Sequence, residues 1–152
     1  MKRLRVYVDT SVIGGCLDEE FRKESRALID LAHRGKITIL ASDLMLDELR
    51  DAPLEVGEVF RSLPAGAVEY VPTSPESIAL QERYLAKNVV GRGSKDDALH
   101  VALAVTTGAD VMVSWNFKHI VQFNRIRGFN SVNLREGYPT IEIRSPKEIT
   151  QS

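Results

Sequence analysis

Residues 4–15 read LRVYVDTSVIGG: an apolar run suited to a protein interior stops at Asp9 and passes at once to Thr10 and Ser11. From Leu4 to Val8 the stretch is β-branched and aromatic on successive positions, the pattern of a strand buried on both faces among parallel neighbours. A carboxylate that closes such a strand is too costly to keep unpaired, so it is either satisfied by hydrogen bonds or held for chemistry. In the first reading Asp9 bonds the loop around Ser11. In the second it is one of several carboxylates gathered from distant parts of the chain.

Working outward, the residues alternate between strand and helix patterns. EEFRKESRALIDLAHRG (19–35) carries Phe21, Leu28, Leu31 and Ala32 at helical spacing, with Gly35 as its stop. KITILA (36–41) is a second strand, and SDLMLDELRDAP (42–53) a helix with Ser42 as N-cap and Pro53 as terminator. A third strand falls at Val68 to Val71, and a helix opens at Ser74–Pro75. GRGS (91–94) reads as a mobile connection. KDDALHVALAVTTG (95–108) is apolar around most of its circumference, which predicts a central helix. A strand from Val111 to Ser114 follows, then one or two short helices over 117–137 and a last strand in TIEIRS (140–145). The order predicts an α/β fold, a three-layer α/β/α sandwich around a central, mostly parallel sheet, spanning residues 1–152 as a single domain.

In such sheets, chemistry collects beyond the carboxyl ends of the strands. Asp9 and Asn116 meet that rule. Asp110 starts its strand, ~13 Å from Ser114 at ~3.3 Å per residue, and belongs to the opposite rim. Glu48 lies on the helix after the second strand, where an exposed glutamate needs no explanation; its neighbour Asp47 points ~100° away around the helix. Asp97 follows Ser94 by three residues, which is a capping-box spacing, and both Asp96 and Asp97 suit the positive end of a helix dipole. Metal binding is the competing reading for Asp97. Gathered carboxylates repel one another unless a cation is present, and a hard divalent ion such as Mg²⁺ takes their oxygens while keeping several waters. Such an ion lowers the pKa of a bound water and neutralises charge at a phosphate under attack.

Composition is neutral on this point: the 152 residues are 43% hydrophobic and 27% charged, with a formal net charge of -1. That balance describes a folded domain and favours nucleic acid neither way. The single cysteine, Cys16, excludes an intrachain disulfide and fits a reducing compartment. The amino-terminal apolar run is too short for a signal peptide or membrane span, so the expected location is cytoplasmic and no membrane partner is expected.

Four motifs in order, VYVDTSVIGG, ASDLMLDELR, DALHVALAV and GADVMVSWNFKHI, resemble those of PIN-domain proteins, in particular the single-domain VapC-type toxins of toxin–antitoxin pairs. The resemblance covers nearly the whole chain. It implies a Mg²⁺- or Mn²⁺-dependent endoribonuclease with Asp9, Glu48, Asp97 and Asn116 as catalytic and metal-binding residues. It also implies an antitoxin partner and association as a homodimer. Asn116 stands where many active members have Asp; an amide oxygen coordinates a cation without adding negative charge. This departure motivates the alternative, a catalytically weak or inactive PIN-like module that binds RNA or regulates. A phosphoesterase acting on DNA or a small phosphorylated molecule is a third class.

RNA binding needs positive surface near the pocket. Between Trp115 and Arg135 the chain carries Lys118, Arg125, Arg127 and Arg135 and no acid, and Arg92 and Lys95 precede the Asp97 helix. Lys118, His119, Arg125 and Arg127 are candidates to position RNA, and Thr10 and Ser114 to position water or phosphate oxygens. Trp115 has two roles open to it, stacking on a base or packing beside the last strand.

Overall fold

The computed structural model describes residues 3–150. Five strands, β1 (Leu4–Val8), β2 (Ile37–Ser42), β3 (Val68–Val71), β4 (Val111–Val113) and β5 (Glu142–Arg144), form one sheet in the order β3-β2-β1-β4-β5. Every neighbouring pair is parallel, with Tyr7 opposite Leu40 on one side and Met112 on the other. Eight α-helices surround it: α1 (Thr10–Gly15), α2 (Arg22–His33), α3 (Asp43–Arg50), α4 (Leu54–Arg61), α5 (Pro75–Ala86), α6 (Lys95–Thr106), α7 (Phe123–Arg135) and α8 (Pro146–Thr150).

Alternation along β1 divides the core. Val6 and Val8 pack with Ile39, Ile13, Leu28 and Met45, while Tyr7 packs on the opposite face with Leu40, Met112, Leu80 and Leu103. Helices α1 to α4 thus cover one face, and α5 to α7 the other. A strand buried on both faces, as β1 is from Val6 to Val8, is what this three-layer arrangement requires. Helix α6, buried continuously from Ala98 to Val105, is the central helix that its sequence predicts. Among the described residues, no helix is long and apolar enough to cross a membrane.

Local signals explain most boundaries. Ser42 accepts the Met45 amide as N-cap of α3, Ser74 and Ser77 cap α5 reciprocally, and Gly35 stops the α2 turn at φ 72°. The structure departs from expectation in four places. Residues 10–15, read as loop, form α1, and Pro53 both ends α3 and opens α4. GRGS forms a 3₁₀ turn over Arg92–Ser94 rather than an unstructured connection. Ser94 makes no side-chain cap bond, so the capping-box reading of Ser94 and Asp97 is not realised. Of the one or two helices expected over 117–137 one forms, α7, and Asn130 holds both the amide and the carbonyl of Ile141 beside it, guiding the chain into β5.

Trp115 is built into this frame. Its ring stacks on Phe21 with centroids 4.2 Å apart, and its indole N–H donates to Ser25 Oγ at 2.7 Å. With 9% of its surface exposed, Trp115 packs just after β4 against Phe21 and Ser25, the packing role rather than the base-stacking one. Gly15 makes the close approach possible, since a Cβ there would meet Ser25 Oγ and come 2.8 Å from Trp115 Nε1. Gly15→Ala is therefore expected to destabilise the fold by roughly 1–3 kcal/mol through overpacking. Urea unfolding followed by the fluorescence of the only tryptophan checks this, and an unchanged midpoint would contradict the packing described.

Candidate functional site

The chain runs from β1 to β2 and β3 on one side of the sheet, and to β4 and β5 on the other, so the order reverses between β1 and β4. At such a switch point the connections diverge and leave a crevice beyond the carboxyl ends of the strands. Asp9 leaves β1 into this crevice, and Ser114, Trp115 and Asn116 leave β4 into it.

Asp9 is 5% exposed, and each of its oxygens accepts one hydroxyl. Ser11 Oγ donates to its Oδ1 and Ser114 Oγ to its Oδ2, both at 2.6 Å. Each hydroxyl passes the connection on: Ser11 Oγ accepts the Trp115 amide at 3.0 Å, and Ser114 Oγ accepts the Asn116 amide at 2.9 Å. Burial pushes the Asp9 carboxyl above its ordinary pKa, with the charge of Glu48 adding to the rise; His100 and the two serine bonds oppose it.

Glu48 anchors a second network. Thr10 Oγ1 donates to its Oε1 at 2.6 Å, and His100 Nε2 meets the same oxygen at 2.7 Å. The other imidazole nitrogen, Nδ1, lies 2.6 Å from the Tyr7 hydroxyl, which lies 2.8 Å from Ser42 Oγ. Every hydrogen finds an acceptor when Ser42 donates to Tyr7, Tyr7 to His100 Nδ1, and His100 Nε2–H to Glu48. Burial by itself pushes the Glu48 carboxyl up, but the bonds from His100 and Thr10 outweigh it and hold the pKa below the ordinary range. Asp47, in contrast, pairs with Arg50 at 2.8 Å on the exposed side of α3.

Asp97 is half-buried on the first turn of α6 and shares this field. Burial raises its pKa, the nearby imidazoles of His119 and His100 oppose the rise, and the charges of Asp9 and Glu48 add to it. The net direction is upward. Asp9, Glu48 and Asp97 are thus brought into one electrostatic environment. Asn116 borders it with its Oδ1 committed to the His119 amide at 2.9 Å. His119 leaves its Nδ1 buried without a hydrogen-bond partner. Asp110 sits at the opposite rim, accepting the Arg5 amide at 2.8 Å.

The three carboxylates have the oxygen chemistry of a Mg²⁺ or Mn²⁺ site, but their arrangement does not fit one. Each Asp9 oxygen accepts one hydroxyl, the two donors on Glu48 share Oε1 and none meets Oε2, and the Asn116 oxygen is turned onto the backbone. Among the described residues, no group of three or more His, Cys, Asp or Glu side chains is placed to hold a metal ion.

The cationic candidates separate. Arg125 Nη1 donates to the Val89 carbonyl at 2.5 Å, and Arg127 lies 5.6 Å from the Phe123 ring centroid. Lys118 is exposed; Arg92 is paired with Glu82 at 3.5 Å. Arg135 is about 15 Å along α7 from Arg125 at 1.5 Å per residue. Sequence reading missed His100, Tyr7, Ser42 and Ser11 as members of the site. The signal for His100 was its position three residues after Asp97, which places the two on one helical face.

The family model described as "PIN domain" matches residues 5–118. Among solved structures, the chain is similar to VapBC2 from Rickettsia felis, determined bound to a DNA fragment from their promoter. That match has a TM-score of 0.60 at 14% identity and covers 93% of this chain and 98% of the other, a likeness of fold. No curated protein matches significantly by sequence.

The raised Asp97 pKa has a signed consequence. The folded state binds this proton more tightly than the unfolded chain, so stability falls as pH rises from the ordinary carboxylate value through the folded one. Asp97→Asn removes that penalty and is expected to raise the melting temperature at pH 7. The gain should shrink as pH falls below the carboxylate range. Thermal unfolding of both proteins at pH 7 and pH 4 checks it; an equal gain at both values would contradict the electrostatic cause.

Proposed function

Because the chain belongs to the PIN-domain family, we propose that it is a cytoplasmic, single-domain RNA-binding module of the toxin–antitoxin kind, with weak capacity for phosphodiester hydrolysis. The observation that carries this reading is the closed Asp9 carboxylate, both of whose oxygens are held by serine hydroxyls at 2.6 Å. Asn116 contributes to the same conclusion, since it adds no charge and its oxygen already caps the His119 amide. An antitoxin partner and a homodimer belong to this proposal, supported by the family and by the full-length likeness to the fold of VapBC2.

One observation favours a second reading, a Mg²⁺- or Mn²⁺-dependent endoribonuclease using Asp9, Glu48, Asp97 and Asn116. Asp9 and Asp97 are both pushed above their ordinary pKa values, and each feels the charge of Glu48. A divalent cation relieves tension of this kind.

The two readings separate when wild type and Asp9→Asn are mixed with a pool of structured and unstructured RNAs in EDTA, Mg²⁺ or Mn²⁺, with binding and cleavage measured together. RNA binding that persists in EDTA, with slow or absent cutting, is the expected result. Rapid cutting that requires the metal and disappears in Asp9→Asn would establish the nuclease reading instead.

A further inference from the structure

Beside the carboxylate pocket, the chain segment that follows α5 faces the start of α7 across a cleft of about 620 Å³. Lys87 and Val89 form one wall, Phe117 and Lys118 the second, and Arg125 and Gly128 the third. Its two sides meet closely at Val89. A Cβ on Gly128 would come 2.9 Å from Val89 Cγ1, and the bond from Arg125 to the Val89 carbonyl ties α7 to the facing segment.

Its lining combines two features. Lys87 and Lys118 are exposed, and among the described residues neither they nor Arg125 has a carboxylate partner. Phe117 is 50% exposed although its neighbour Trp115 is buried. An exposed aromatic face amid unpaired cations suits a ligand that carries both a flat π-system and negative charge. Phe117 and Lys118 belong to the turn that Asn116 closes on the His119 amide at 2.9 Å, so the cleft and Asn116 share one segment.

We propose that this cleft is a nucleotide subsite for single-stranded RNA, with a base stacked on Phe117 and the flanking phosphates on Lys87, Lys118 and Arg125. The carboxylates repel phosphate and the cleft cations attract it, so the strand is gripped at the cleft. The assignment rests on the RNA-binding reading above and names where the strand is gripped.

The test is fluorescence anisotropy with a short fluorescein-labelled single-stranded RNA of mixed sequence, in EDTA, over a series of salt concentrations. Lys87→Gln combined with Lys118→Gln is expected to weaken binding about tenfold at low salt. It should also reduce the slope of log affinity against log salt by about 1.4, at ~0.7 per phosphate contact. Phe117→Ala is expected to lose roughly tenfold, and Phe117→Tyr to restore most of it. Arg34→Gln, at the far end of α2, should bind as wild type does. All are surface positions, and circular dichroism verifies that each variant is folded.

Wild-type binding that is unchanged in every cleft variant would overturn the subsite while leaving the RNA reading intact. Failure of the wild type to bind any RNA would overturn both. Loss in the double lysine variant with none in Phe117→Ala, or equal displacement of the RNA by polyglutamate, would replace the nucleotide subsite with a general surface for acidic partners.

Discussion

The organisation of this molecule depends on one buried carboxylate. Asp9 closes β1 at the point where the sheet order reverses, and its two oxygens hold Ser11 on one side and Ser114 on the other. Through those hydroxyls it fixes the amides of Trp115 and Asn116, which otherwise leave β4 without partners in the ladder. Desolvating a carboxylate is expensive, and these bonds are what make its position tolerable. An acid at the end of an apolar run is thus satisfied where it lies: Asp9 clasps the two central strands where their connections diverge.

A second clasp lies behind it. Glu48 on α3, His100 on α6, Tyr7 on β1 and Ser42 at the end of β2 form a continuous donor chain through the core, with Thr10 joining at the glutamate. Tyr7 is fully buried, so its hydroxyl depends on this chain for satisfaction. The network also aims Glu48 toward Asp9 and Asp97. Three acids then share one low-dielectric rim, and the burial that builds the crevice also sustains their repulsion. Positive charge lies close by, in the cleft lined by Lys87, Lys118 and Arg125.

Much of this was legible in the sequence. Alternation of doubly apolar runs with helical patterns carries the three layers, and the rule that sites gather at strand carboxyl ends selects Asp9 and Asn116 while rejecting Asp110. Helix α1 was not legible, because TSVIGG holds two glycines and β-branched residues that disfavour a helix; its burial against α2 and α4 overrides propensity. Asp97 also misled. Its spacing from Ser94 matches a capping box, yet the 3₁₀ turn before α6 leaves Ser94 in a geometry that makes no cap bond. Trp115 and Phe117 are both aromatic and two residues apart, and local sequence does not say which one is buried. Packing decides it, because Phe21, Ser25 and the space at Gly15 receive Trp115 and leave Phe117 half in solvent. The membership of His100 in the site depends on a tyrosine from a strand far away in the chain, a relation that no short window contains.

The central claim is that Asp9 is committed to its serine clasp and that Asn116 leaves the pocket one charge short. Equilibrium Mn²⁺ binding, followed by electron paramagnetic resonance of the free ion in wild type and Asn116→Asp, tests it most directly. The account predicts weak binding in the wild type that tightens at least severalfold in Asn116→Asp, because the added carboxylate supplies charge without opening the clasp. Tight, stoichiometric binding by the wild type, unchanged in Asn116→Asp, would contradict it.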